Sequence, residues 1–320
     1  MSVSPELVEK IAQAVAESFA SALRQQAKPA SEWEVVEEPF EKPVEEEPSK
    51  LVLKADSAPE ALKELKPLRT GTILDELFLS IDGSLLGGIP LCGQFIITGL
   101  PGSGKSILVE EIAVRTAYEG VKVLFVTSED QWKARTERFD LQSRMAIKAE
   151  ILRLNWEKIA GNLYILDAAT YPELREWESF VKAYRYAIEQ YKIELVIVDS
   201  LTLLEAYRGA LKYRLAELMR YNQNAGVTAI FINQRSAERW DSYDIAGGIG
   251  LAHLADGTII VDYGRVYYED QMHDLNAKRG EFVRIVRVLD CRLTGFRRER
   301  IRVEITDDGF LRKVDKHEPG

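Results

Sequence analysis

Gly99-Leu100-Pro101-Gly102-Ser103-Gly104-Lys105-Ser106 reads G-x-x-x-x-G-K-S without interruption, and it follows the apolar run Gln94-Phe-Ile-Ile-Thr98 directly. A strand that feeds a glycine-rich loop and then a helix restricts the chain to an α/β fold with a mostly parallel sheet flanked by helices. The glycines at 99, 102 and 104 let successive backbone N–H groups turn into one concavity, and the helix that opens at Lys105 adds the positive end of its dipole. Such a loop cradles phosphate. Lys105 is expected to reach the β and γ phosphates of a nucleoside triphosphate, Ser106 to ligate Mg²⁺, and Ile107 to begin the helix wall beside them.

Binding alone is not hydrolysis, which also needs an acid that positions the metal and a group that orients water. Glu194-Leu-Val-Ile-Val-Asp199 reads as a buried parallel strand with a carboxylate at its carboxyl end, where ligands of parallel sheets bind. Asp199 is therefore expected to hold Mg²⁺ through its water shell. A second run, Val121 to Thr127, ends in Ser128-Glu129-Asp130 at the same edge. Glu129 is the expected water-polarising base. Asp130 is the second candidate, and it reads equally well as the acidic start of a following helix. A third strand, Val227 to Asn233, delivers Gln234 to that edge, where its amide is placed to report the γ-phosphate.

The order phosphate loop, Glu129-Asp130 strand, Leu195-Val-Ile-Val-Asp199-Ser200 and Thr228-Ala-Ile-Phe-Ile-Asn-Gln234 resembles the RecA, RadA and KaiC class of ATPases. Arg69-Thr-Gly71, Leu74-Asp-Glu-Leu77, Gly87-Gly-Ile-Pro90 and the stretch Gly247 to Gly257 are similar to KaiC-domain proteins and archaeal RadA paralogues in particular. The likeness runs from about residue 68 to 315 and implies a RecA/KaiC-type P-loop fold closed by a C-terminal β-hairpin. It implies Mg²⁺-dependent ATP hydrolysis and either a RadA-like role in DNA recombination or repair or a KaiC-like switch that docks a protein partner, with hexamer, filament and monomer all open as the assembly state. In KaiC-type hexamers a Lys-x-Arg pair reaches the neighbour's γ-phosphate. The matching positions here are Asp290-Cys291-Arg292, so Arg292 stands as a finger acting in trans or as a plain surface arginine. Between Leu77 and Gly87 the chain carries a longer segment than the resemblance leads one to expect, which points to an altered approach to the nucleotide base.

The first 67 residues differ in character from the 68–320 ATPase domain. Leu7, Ile11, Val15, Phe19 and Leu23 form one apolar stripe on a helix that wants a partner, and Pro29 stops it. Residues 30–59 then read as an acidic, proline-broken, disordered tether. This segment holds 8 basic and 14 acidic side chains, most of the chain's net charge of −9. Charge therefore leaves nucleic acid open. In the loop after Gln234, Arg235, Arg239, Trp240 and Tyr243 alternate basic and aromatic character, which suits single-stranded DNA as in the matching loop of RecA-class recombinases; Glu238, Asp241 and Asp244 dilute it, and the alternative is a loop that senses nucleotide or packs on a neighbour. Cys92 and Cys291 give neither a disulfide framework nor zinc spacing and read as two small buried thiols. His253, among apolar residues, reads as a packing histidine. With no signal segment and no run long enough to span a bilayer, a cytoplasmic protein with no membrane contact is expected.

Overall fold

The computed structural model describes residues 64–201, 211–234 and 253–314. The amphipathic helix, the acidic tether and the Arg235–Tyr243 loop lie outside these residues. A two-residue ribbon pairs β1 (Pro67–Leu68) with β2 (Ile89–Pro90). The main sheet is built from β3 (Gln94–Gly99), β4 (Val123–Thr127), β5 (Leu163–Asp167), β6 (Leu195–Asp199), β7 (Thr228–Gln234), β8 (Gly257–Arg265), β9 (Phe282–Cys291), β10 (Ile301–Ile305) and β11 (Leu311–Lys313). Its spatial order is β11-β10-β9-β8-β3-β7-β6-β4-β5. From β8 to β5 every neighbouring pair is parallel, and from β8 outwards to β11 every pair is antiparallel.

The apolar runs form strands because both faces of this sheet are covered. Successive residues point to opposite faces. Phe95, Ile97, Phe125, Ile197, Ile230 and Ile232 pack with α1 (Lys105–Tyr118), α2 (Leu141–Ile151) and α3 (Trp156–Ala160). Ile96, Leu124, Val126, Val196, Val198 and Phe231 pack with α4 (Trp177–Tyr191) and α5 (Leu211–Ala225). A short α6 (Glu269–Leu275) covers Val283 and Ile285 further along the sheet. With β3 at its centre, the sheet delivers Gly99, Thr127, Asp199 and Gln234 to one edge. Among the described residues, no helix is long and apolar enough to cross a membrane.

Three sequence expectations change here. Cys92 is exposed and Cys291 half-buried; Cys92 occupies a left-handed turn, φ 62°, ahead of β3, which keeps its side chain out of the core. His253 is exposed, because it opens the turn that leads into β8. Asp130 does not start a helix: Asp140 caps α2, its carboxylate accepting the Ser143 N–H at 2.8 Å. The segment after Leu77 folds back through a Leu79–Leu85 bridge and packs Phe78 against Phe95 at the amino-terminal end of β3. That is the edge opposite the phosphate loop.

Candidate functional site

The phosphate loop is held against β8. A side chain at position 99 would bring its Cβ within 1.8 Å of the Val261 carbonyl oxygen, so only glycine fits there. Gly104, at φ 107°, makes the sharp turn into α1. Asp262, buried in β8, accepts the Leu100 N–H at 3.3 Å, and the Tyr263 hydroxyl donates to the Pro101 carbonyl at 3.0 Å. Ser103 N–H closes the loop on Leu100 O at 3.2 Å. The Lys105 ammonium donates to Gly99 O at 2.9 Å, Leu100 O at 2.8 Å and Ser103 Oγ at 3.4 Å. Burial pulls its pKa down, against the opposing fields of Asp199, Asp262 and Glu129. Anionic phosphate restores the balance that burial disturbs.

Pro101, Gly102, Gly104, Lys105, Ser106, Ile107, Glu129, Asp199, Ile232 and Gln234 line one cleft of about 280 Å³. Four separate sequence segments thus converge. Burial raises the Asp199 carboxyl to about 6; Glu129 and Glu110 push it the same way, while the Ser106 hydroxyl bond and Lys105 oppose the shift. The peptide joining Asp199 to Ser200 is cis. Glu129 is held from two sides: Ser200 Oγ donates to its Oε1 at 2.6 Å, and Gln234 Nε2 donates to the same oxygen at 3.0 Å. The base candidate and the phosphate-sensor candidate are therefore bonded to each other.

Asp130 has a different setting. Arg144 of α2 donates to it at 2.8 Å and Arg138 at 3.2 Å, and Arg144 also grips buried Glu110 of α1 at 2.9 and 3.0 Å. Arg292 lies just past the end of β9, at the sheet edge opposite the phosphate loop. There it donates to His253 O at 2.7 Å and lies 3.9 Å from Asp256. It is remote from its own chain's cleft. Sequence reasoning missed Asp262, Ser200, Tyr263 and Arg144. Only Ser200, next to Asp199, carried a local signal. A larger hollow of about 860 Å³ lies between α6, β10 and β11, but its Arg300, Arg302 and Lys313 are paired with Asp274, Glu281 and Glu76.

The phosphate loop, the strand-end acid and the sheet order decide between the families that this cleft admits. The ATPase family described as KaiC matches residues 68–314. The chain belongs to that family. Among its KaiC-type relatives, a UPF0273 protein of Pyrococcus furiosus is 27% identical over 74% of this chain and 92% of its own length. The circadian clock oscillator protein KaiC of Rippkaea orientalis is 28% identical over 55% of this chain and 33% of that protein. The DNA repair protein RadA of Chlamydia muridarum is 25% identical over 69% of this chain and 44% of that protein. In fold, the crystal structure of a KaiC-like protein from Pyrococcus horikoshii superposes with a TM-score of 0.56 at 20% identity, covering 78% of this chain and 99% of that one. The KaiC-like RecA fold is thus established for the chain, with a central, mostly parallel sheet and flanking helices.

The KaiC family, as P-loop ATPases, implies nucleotide and usually Mg²⁺. Among the described residues no three carboxylate, imidazole or thiolate side chains form an all-protein metal cage. Mg²⁺ needs none, since it is held by one or two protein groups plus phosphate oxygens and water. Ser106 and Asp199 fit that demand: a hydroxyl touches a carboxylate whose charged form burial and two neighbouring acids disfavour, and a cation relieves it.

Proposed function

We propose that the chain binds ATP in the cleft between Lys105, Asp199, Glu129 and Gln234 and hydrolyses it with Mg²⁺. The carrying observation is the shared oxygen of Glu129, which accepts from both Ser200 and Gln234 at the mouth of the phosphate loop. Ser106 and Asp199 would hold the metal, which supplies charge that neutralises phosphate oxygens. Lys105 holds the β and γ phosphates. With ATP bound, Glu129 keeps one carboxylate oxygen held by Ser200 and turns the other on the attacking water, polarising it towards phosphorus. Gln234 exchanges its bond to Glu129 for one to the γ-phosphate, which frees the base when ATP is present and ties it when ATP is absent. Phosphate release measured with and without Mg²⁺ tests this reading. Turnover that requires Mg²⁺ and is lost in Lys105→Ala supports it, and Mg²⁺-independent turnover surviving in that variant rejects it.

Gln234 is also the last residue of β7, so the nucleotide state passes to whatever follows it. Two outputs are proposed. The arginines and rings at 235, 239, 240 and 243, together with the likeness to a DNA repair protein RadA, support an accessory role in DNA recombination or repair. The four-residue apolar spacing of Leu7, Ile11, Val15, Phe19 and Leu23 in the sequence, together with KaiC-like relatives, supports an ATP-controlled switch that docks a protein partner. An oligonucleotide titration over a salt series with ATP or ADP separates them, because only the first output gives salt-sensitive binding. In a homo-oligomer, Arg292 would serve a neighbour's cleft rather than its own.

A further inference from the structure

β8 and β9 run antiparallel with Tyr263 opposite Arg284 and Arg265 opposite Phe282. Residues two apart on a strand share a face, as do residues directly opposed, so these four form one plaque in which rings and guanidinium groups alternate in both directions. The intervening Val283 is buried with Val266 and Leu275 on the other face, beneath α6. The plaque is the open face. Phe282 is 51% exposed, and Tyr267 and Tyr268, just past the end of β8, are 52% and 53% exposed. The Tyr263 and Phe282 rings lie 5.2 Å apart, and the Arg284 guanidinium sits 5.7 Å over the Tyr263 ring. Arg265 donates to Gly280 O at 3.0 Å.

Arg284 is the informative member. Among the described residues it has no carboxylate partner, and its Nε is buried without a hydrogen-bond acceptor. A cation without a counter-ion asks for an anion, and open rings on a sheet face ask for flat apolar groups to cover them. Single-stranded nucleic acid meets both demands, because its phosphates pair with arginine and its bases stack on sheet aromatics whatever the sequence. The plaque is also joined to the nucleotide site, since the Tyr263 hydroxyl donates to Pro101 O and the adjoining Asp262 accepts Leu100 N–H.

We infer that this plaque is a docking surface for single-stranded nucleic acid, with a base on Phe282, phosphate on Arg284, and Tyr263 linking occupancy to the phosphate loop. It takes up the nucleic-acid output proposed above and gives that output a surface distinct from the 235–243 loop.

Fluorescence anisotropy of labelled oligothymidylate and oligouridylate with the full chain tests it, over a salt series with ATP, ADP or neither. Phe282→Ala should weaken binding about 5- to 100-fold with an unchanged salt slope, and Arg284→Ala should also reduce the log–log salt slope by about 0.7. Tyr263→Phe should keep the oligonucleotide but lose the difference between ATP and ADP. ATP affinity and melting temperature of Phe282→Ala and Arg284→Ala, and melting temperature of Tyr263→Phe, confirm an intact fold. Normal affinity in Phe282→Ala and Arg284→Ala, with loss confined to a variant lacking Arg235 and Arg239, overturns the plaque and leaves the nucleic-acid output standing. Absence of binding at low salt overturns both while leaving ATP hydrolysis untouched. If the plaque variants lose only concentration-dependent self-association, the surface belongs to a second copy of the chain and the inference is wrong.

Discussion

Asp199 carries the clearest titration consequence. Its carboxyl is raised from an ordinary 3.8 to about 6, chiefly by burial, so between those values the folded chain binds more protons than the unfolded one. Stability of the nucleotide-free protein should therefore fall as pH rises through that window. Asp199→Asn should flatten that part of a melting-temperature profile, raise stability at neutral pH, and abolish Mg²⁺-dependent turnover. A profile with the same slope in the variant would reject the assignment. Lys105→Ala removes charge-assisted contacts to phosphate that contribute about 1.5 to 3 kcal/mol each. ATP affinity by titration calorimetry should drop accordingly. Lys105 and Ser106 were legible from the sequence because the phosphate loop acts through backbone and spacing, which a local string encodes. Asp262 was not, because its importance comes from the β3–β8 pairing, which joins residues 162 positions apart.

Among elements, α2 ties the second acid into the frame. Arg144 holds Glu110 and Asp130 together, and Lys148, one turn on, donates to Gly309 O at 2.6 Å in the β10–β11 turn. Arg144→Met leaves the Glu110 carboxylate buried beside fewer cations. Unfolding in urea should show a loss on the order of 2 kcal/mol, discounted for the part of Arg144 that faces water. Asp130→Asn should cost little turnover, because this acid is an anchor; a larger catalytic loss there than at Glu129 would reverse the two roles. β3, β4, β6 and β7 were legible as unbroken apolar runs, with ends displaced by at most two residues. β5 is a short, half-buried edge strand and β8 carries Asp262 in mid-run, so neither stands out by apolar content. Helix α1 is buried on nearly all sides, and its start is marked by Lys105 and Ser106 rather than by periodicity.

At the scale of the whole molecule the chain divides into Met1–Leu62 and Lys63–Gly320, and the second unit holds the complete sheet and the cleft. Removing residues 1–59 should therefore leave melting temperature and ATP affinity nearly unchanged. A collapse in stability would mean that the Leu7, Ile11 and Val15 stripe belongs to the ATPase core. Assembly is equally testable: Arg292 sits at the edge away from its own phosphate loop, so it acts on nucleotide only if ATP brings copies together, a change that light scattering detects. The central claim rests on Glu129, and the most direct measurement compares ATP binding with phosphate release in Glu129→Gln. The amide keeps the shape and the bond to Ser200 but cannot polarise water as a carboxylate does. ATP affinity should persist while turnover falls on the order of 100- to 10,000-fold. Turnover at the wild-type rate in a variant that binds ATP normally would contradict the account.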